Sequence, residues 1–269
     1  MTPPFPAGRP ARSALASAAR LATPLLLTLA LLLPPAGAQG QPNPAPNPAP
    51  GFTPAQRQEI VGILRDALRE DPTILRDALA AMEMAEQRDR EGQARGAIAR
   101  NRAALVATAT DPVRGNPQGA ITVVEFFDAR CPYCKRMVPA LAELLRRNPD
   151  VRLVQKDLPI LGPSSVLASR ALLAAQRQGK YGEYHDALLT VREDLTEPVL
   201  KREAEKLGLN WARLRADMEL PEIARRLDAN LALAREIGIE GTPAYVVGDR
   251  LVPGAVDLAG LEQLVASAR

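Results

Sequence analysis

Residues 121–134 read Ile-Thr-Val-Val-Glu-Phe-Phe-Asp-Ala-Arg-Cys-Pro-Tyr-Cys. Ile121 to Phe127 is β-branched or aromatic except at Glu125, which is the composition of a buried strand. Pro132 to Arg147 then places Met137, Val138, Leu141, Leu144 and Leu145 on one helical face. Val151 to Lys156 is a second apolar, β-branched run. The order strand, helix, strand predicts a parallel pair joined by a crossover helix. Cys131 and Cys134, the only cysteines of the 269 residues, fall at the start of that helix.

Position gives these cysteines their chemistry. A helix N-terminus presents unpaired amide N–H groups and the positive end of the helix dipole, both of which stabilise an anion. Cys131, the outer residue, is therefore expected to have a lowered pKa and to attack disulfides as a thiolate. Cys134, one turn further in, is expected to be more buried and to resolve the mixed disulfide. Pro132 suits the first helical position and stiffens the loop. A static disulfide across so short a loop gains little chain entropy. A structural zinc site needs about four ligands, and His185 is the single histidine. Two thiolates alone suit Cu(I), so a copper-binding thiol protein stands as an alternative.

Upstream, residues 1–38 carry Arg9, Arg12 and Arg20 and no acid. A 13-residue apolar run follows over Leu21 to Leu33, then Ala36-Gly37-Ala38. These are the three parts of a cleaved secretory signal peptide, and the run is shorter than the about 20 residues of a spanning helix. Its removal takes three arginines from 34 basic residues and leaves 31 against 31 acids. A balanced chain has no basic field, which excludes nucleic acid and anionic lipid as expected partners. Residues 39–52 are a proline-rich, semi-rigid tether.

Residues 53–112 read as a helical region. Thr53, Pro54 and Gln56 form a capping box, and Asp71-Pro72 starts a second helix. Ile60, Ile63, Leu64, Ala67 and Leu68 make one apolar stripe, and Ile74, Leu75, Ala78, Leu79 and Met82 another. Glu83 to Arg102 is charged and alanine-rich, which predicts a solvated helix. Met82 and Met84 read as packing residues rather than metal ligands. Such stripes must pack on the following domain or on another copy of the chain. The polar stretch between them and the rest favours the second, an oligomerisation arm.

Asp111 to Gly119 is turn-rich and marks the expected boundary. Downstream of Val151 to Lys156, a helix capped by Ser164 or Ser165 is expected to run to about Gln178. Further helices are expected over Tyr181–Leu189, Pro198–Leu207, Trp211–Met218 and Pro221–Glu236. A hairpin turns at Gly248-Asp249, and Asp257 caps a terminal helix. His185 reads as a surface or packing residue and Trp211 as core.

Glu125 to Cys134 resembles the active-site segment of DsbA-like thioredoxin-fold proteins, and Gly241-Thr242-Pro243 resembles that family's cis-proline loop. The resemblance covers about 113–269, with a helical insertion at about 161–237. It implies an α/β fold: a thioredoxin-like domain with a helical insertion, preceded by an N-terminal helical region. It also implies that Cys131 is the nucleophile and Cys134 the resolving thiol. Pro243 would be cis and face the disulfide, and Thr242 would offer its backbone to an extended substrate. Glu125 would be a buried carboxyl that relays a proton to Cys134. Pro132 and Tyr133 would contact substrate and tune the redox poise. Tyr133 departs from the histidine of the strongest oxidants. The N-terminal region resembles that of the copper-resistance, or suppressor-of-copper-sensitivity, branch, in which it makes dimers or trimers.

The resulting expectation is a periplasmic thiol:disulfide oxidoreductase, leaning to isomerase or reductase work. Its partners would be exported proteins with thiols or disulfides and a membrane redox partner, with a homo-oligomer built through residues 53–112. No metal or cofactor is required. The alternatives are a monomeric dithiol oxidase and a Cu(I)-binding thiol chaperone.

Overall fold

The computed structural model describes residues 51–106 and 109–268. The leader expected over residues 1–38 and the tether as far as residue 50 lie outside the described residues. The described residues divide into two units between Val61 and Gly62.

Helix α1 (Pro54–Glu70) opens in the first unit and runs across the division. Its start is a reciprocal capping box: Thr53 Oγ1 accepts from the Gln56 amide at 3.3 Å, and Gln56 Oε1 accepts from the Thr53 amide at 2.9 Å. Each bond satisfies an amide that the helix itself leaves unpaired. No residue of α1 is buried, and Ile63 and Leu64 are 63% and 57% exposed.

In the second unit, α2 (Thr73–Arg100) starts where Asp71 Oδ1 accepts from the Thr73 amide at 3.0 Å. It continues unbroken through Gly92 and Gly96. Met82 and Met84 are exposed, against the expectation that they pack; the α2 stripe has no covering element among the described residues. The solvated helix expected to Arg102 also differs in its last turn. Ala97 and Ile98 are buried there, with Leu105 of α3 (Arg102–Val106), because these few apolar residues cover one face of the sheet.

That sheet has the order β1-β3-β2-β4-β5, from β1 (Val113–Gly115), β2 (Ile121–Phe127), β3 (Val151–Asp157), β4 (Ala244–Val247) and β5 (Arg250–Pro253). Strands β2 and β3 are parallel, and α4 (Pro132–Arg147) crosses between them, as the strand–helix–strand order requires. Strands β1, β4 and β5 run antiparallel to their neighbours. β1 lies inside the turn-rich Asp111–Gly119 stretch. Gly115 sits at φ +70°, where a Cβ would meet Val151 O at 2.6 Å, so a side chain there is excluded.

Alternation along β2 sorts the core into faces. Val124 and Phe126 pack with Ile98, Leu105 and the Leu233, Ala234 and Ile237 side of α9 (Pro221–Ile237). Val123 packs on the other face with Leu141 and Leu144 of α4 and with Leu261 and Val265 of α10 (Leu258–Ser267). Asp257 Oδ1 caps α10 by accepting from the Gly260 amide at 2.8 Å. Each such buried Leu or Phe side chain contributes about 1.5–3 kcal/mol.

Helices α5 (Pro163–Gln176), α6 (Tyr181–Thr190), α7 (Glu197–Lys206) and α8 (Trp211–Asp217) enclose a separate apolar cluster that reaches Phe127 and both cysteines. Trp211 is half-buried on its edge. Neither expected serine caps α5. Its N-cap is Gly162, at φ +100°, with Pro163 as the first helical residue, and Ser165 turns inward to donate to Asp128.

Candidate active site

The loop from β2 to α4 is fixed by Asp128, a buried residue that sequence reasoning passed over. Its Oδ1 accepts from the Arg130 amide at 2.8 Å and from Ser165 Oγ at 2.8 Å. Its Oδ2 accepts from the Ile160 and Leu161 amides at 2.9 and 3.0 Å. One carboxylate thus ties the residues before Cys131 to the entry of the helical insertion. The readable signal was an Asp two residues before an amide in a tight turn.

Cys131 is the N-cap of α4, with extended backbone (φ −64°, ψ 120°), and Pro132 follows at the first helical position. Both cysteines are free and buried; Cys131 is 4% exposed and Cys134 1%. The Cys131 thiol is lowered to about 5, chiefly because the Cys134 thiol donates to it. The amides of Cys134 and Tyr133 add to the effect, and burial opposes it. Cys134 is pushed far up by the same hydrogen bond, by burial and by the negative charges at Cys131 and Glu125. The pair is therefore divided at neutral pH into an ionised outer sulfur and a protonated inner one.

Thr242 and Pro243 come to this sulfur from 111 residues along the chain. The Thr242–Pro243 bond is cis, and the Cys131 thiol lies 3.2 Å from the Thr242 carbonyl oxygen. A cleft of about 1020 Å³ opens from Thr242 and Pro243 between the second half of α2 and β5. Tyr133 is 54% exposed beside the thiols, with the Arg136 guanidinium 4.4 Å from its ring centroid.

Glu125 lies on the face of β2 that α4 covers and is 1% exposed. It stands in register with Gln155 of β3 and Tyr245 of β4. Gln155 Nε2 donates to Glu125 Oε2 at 2.9 Å. Burial raises the Glu125 carboxyl above its ordinary value, and the hydrogen bond from Gln155 opposes the rise. Of the two readings of His185, surface or packing, the structure gives packing: it is 0% exposed, and its Nε2 lies 3.0 Å from Gln155 Nε2. The reason is topological, since α6 lays its inner face on the end of β2, where the Phe127 ring edge meets the imidazole at 4.7 Å. The structure thus brings Glu125, Cys131, Pro132, Tyr133, Cys134, Thr242 and Pro243 to one end of the sheet.

Residues 122–266 match the DSBA-like thioredoxin domain. The chain belongs to that family. Residues 56–88 match the N-terminal domain of the copper resistance protein ScsC. Among solved structures, this DSBA-like chain resembles a thioredoxin-like oxidoreductase from Silicibacter pomeroyi DSS-3, at 44% identity and TM-score 0.62 over 63% of this chain and 98% of that one. Proteus mirabilis ScsC in a transitional conformation matches at 32% identity and TM-score 0.60 over 81% of this chain and 98% of that one. Salmonella enterica Typhimurium BcfH matches at 28% identity and TM-score 0.67 over 80% and 96%. A Na(+)/H(+) antiporter NhaA 3 of Salinispora tropica is 36% identical over 160 residues, 59% of this chain and 24% of that protein. The chain spans about a quarter of the length of the curated relatives it matches. Among the described residues no helix is long and apolar enough to cross a membrane.

Proposed function

We propose that this chain is a periplasmic thiol:disulfide oxidoreductase that reduces or isomerises disulfides of exported proteins. The observation that carries the reading is the division of the two sulfurs: a thiolate at the N-cap of α4 and a buried thiol one turn in. The Cys131 thiolate attacks a substrate disulfide. This forms a Cys131–substrate disulfide and releases one substrate thiolate. In isomerisation that thiolate attacks elsewhere in the substrate and eventually returns Cys131. In reduction, the Cys134 thiol gives its proton to the Glu125 carboxylate. Cys134 then attacks Cys131 Sγ, and the second substrate sulfur leaves with the electron pair. The chain ends as a Cys131–Cys134 disulfide, oxidised by two electrons, and a membrane redox partner supplies the two electrons that reset it.

Pro132 and Tyr133 border the attacking sulfur, and Thr242 and Pro243 border the substrate in the adjoining cleft. Residues 1–38 direct export. Residues 53–112 join copies of the chain, because their exposed stripes need a cover and because isomerisation gains from several thiolates around one misfolded substrate.

The test is reactivation of a scrambled-disulfide protein by the chain without residues 1–38 and by a form that also lacks residues 51–84. The cut stops at 84 because Ala97, Ile98, Leu105 and Asp111 are buried. Fast reactivation that drops on truncation is the expected result. Equal activity of both forms would reject the arm's part in isomerisation, and no reactivation by either would reject isomerase work altogether.

A further inference from the structure

His185 and Gln155 form a polar chain under the active site that disulfide exchange does not by itself require. The partly buried Asp186 carboxylate accepts from Nη1 and Nη2 of Arg114, at 2.8 and 2.7 Å. Its Oδ1 also lies 3.0 Å from His185 Nδ1. On the other side, Gln155 Nε2 faces His185 Nε2 at 3.0 Å and Glu125 Oε2 at 2.9 Å. An amide nitrogen only donates. His185 Nε2 must then be the acceptor, which leaves the ring hydrogen on Nδ1, where the Asp186 carboxylate receives it. Both Gln155 N–H groups are consumed, one by His185 and one by Glu125. Gln155 Oε1 is buried with no hydrogen-bond partner. The reverse orientation would set its oxygen against Glu125 Oε2 and would need the ring hydrogen on Nε2, leaving a bare Nδ1 3.0 Å from the Asp186 carboxylate. Phe127 and Tyr181 hold the ring from two sides, at centroid distances of 4.7 and 6.0 Å.

We propose that His185, acting through Gln155, is a positioning residue that keeps the Glu125 carboxylate ready to take the Cys134 proton. The proposal rests on the reading of Glu125 as the base of the resolving step. In the observed orientation Gln155 gives Glu125 Oε2 a donor, which favours the ionised base. Without the His185 acceptor, Gln155 is free to turn. Its oxygen then accepts from a protonated Glu125, and the base is lost. The charged and titratable groups around His185 are Arg114 from β1, Glu125 from β2, and Tyr181 and Asp186 from α6. Cys134 of α4 is linked to them through Glu125, and Asp157 of β3 through Tyr181.

The experiment follows release of thionitrobenzoate from a Cys131–thionitrobenzoate mixed disulfide as Cys134 resolves it, across the acid-to-neutral range. The expected result for His185→Leu is a rate about tenfold lower at neutral pH, the loss of one hydrogen bond to a charged group, with the rate profile moved to higher pH. His185→Gln, which keeps an acceptor, restores the original profile. In a Glu125→Gln background, His185→Leu has no further effect. An equal fold-loss from His185→Leu in both backgrounds, with an unmoved profile, would make His185 merely structural and overturn the proposal. A Glu125→Gln protein that keeps the original profile would instead reject Glu125 as the base, and the proposal with it. Should His185→Leu not fold, Gln155→Leu breaks the same chain from β3 and is held to the same outcomes.

Discussion

The stripes of α1 and α2 and the strands beneath the cysteines invert the usual arrangement in opposite senses. On the helices, Ile63, Leu64, Ile74, Leu75 and Leu79 stand at least half exposed. Beneath the two cysteines, Glu125, Gln155, Lys156 and Asp157 of the strands and His185 of α6 are at most 2% exposed. Exposed apolar surface wastes a favourable transfer from water that a covering surface would recover. A buried polar group costs stability unless its hydrogen bonds are met. The helices therefore carry a debt that a second molecule can settle, whereas the strands must settle theirs internally. The internal solution differs from residue to residue, which makes the inner region the richer source of large effects.

The largest effect is expected at the buried ion group of Asp111, Lys156 and Arg226. Lys156 Nζ meets Asp111 Oδ2 at 2.5 Å and donates to the Ala104 carbonyl at 2.7 Å, while Arg226 reaches Asp111 Oδ1 at 3.1 Å. The Asp111 and Lys156 side chains are 2% and 3% exposed. Asp111→Ala leaves a buried ammonium without its carboxylate and should cost about 3–5 kcal/mol, read as a lower midpoint in urea unfolding. A loss below about 1 kcal/mol would mean that water reaches Lys156, and that this part of the interior is not a closed polar region.

Next in size is Asp157, whose carboxyl is raised to about 7 by burial although Tyr181 Oη donates to it at 2.9 Å. The folded state holds this proton more tightly than the unfolded chain, whose value is near 3.8. The stabilisation is then complete below about pH 4 and is lost as pH rises through about 7. The loss amounts to roughly 4 kcal/mol. Asp157→Asn removes the titration, so the variant should gain on the parent steadily between those limits and keep its lead above them. Glu125 titrates in both proteins and drops out of the difference. Parallel stability curves for parent and variant would show that Asp157 ionises as freely in the fold as in the unfolded chain.

How much of this was legible varied with how local the determinants are. The strand, Cys131-Pro132-Tyr133-Cys134 and α4 follow from neighbours in sequence, as do the caps at Thr53 and Asp257. The helices of the insertion fell within a few residues of their expected ends. Strand β1 was hidden because three residues flanked by turn formers show no periodicity, and its pairing with β3 is made by backbone alone. The α5 cap was misassigned because Pro163 fixes the helix start and Asp128, 37 residues earlier, claims the Ser165 hydroxyl. His185 read as a surface or packing residue, and its sequence neighbours did not decide between the two. Its partner Gln155 lies 30 residues away, and only the fold brings the two together.

The smallest effect is expected on the exposed helices, and it bears most directly on the comparison. Leu144, 0% exposed in the core, should lose about 2–5 kcal/mol as Leu144→Ala. Leu75, 54% exposed, leaves little covered surface to lose, so Leu75→Ala should change the unfolding of a single chain by no more than about 0.5 kcal/mol. If copies of the chain cover the stripe, that small value holds only at low protein concentration. At high concentration association stabilises the parent by mass action, and the two proteins should diverge. Unfolding measured over a range of concentrations, beside sedimentation of both proteins, separates the cases. A difference that grows with concentration and follows the sedimenting mass assigns the stripe to a second copy. A small, concentration-independent difference leaves α2 an apolar helix face that the chain does not use on itself.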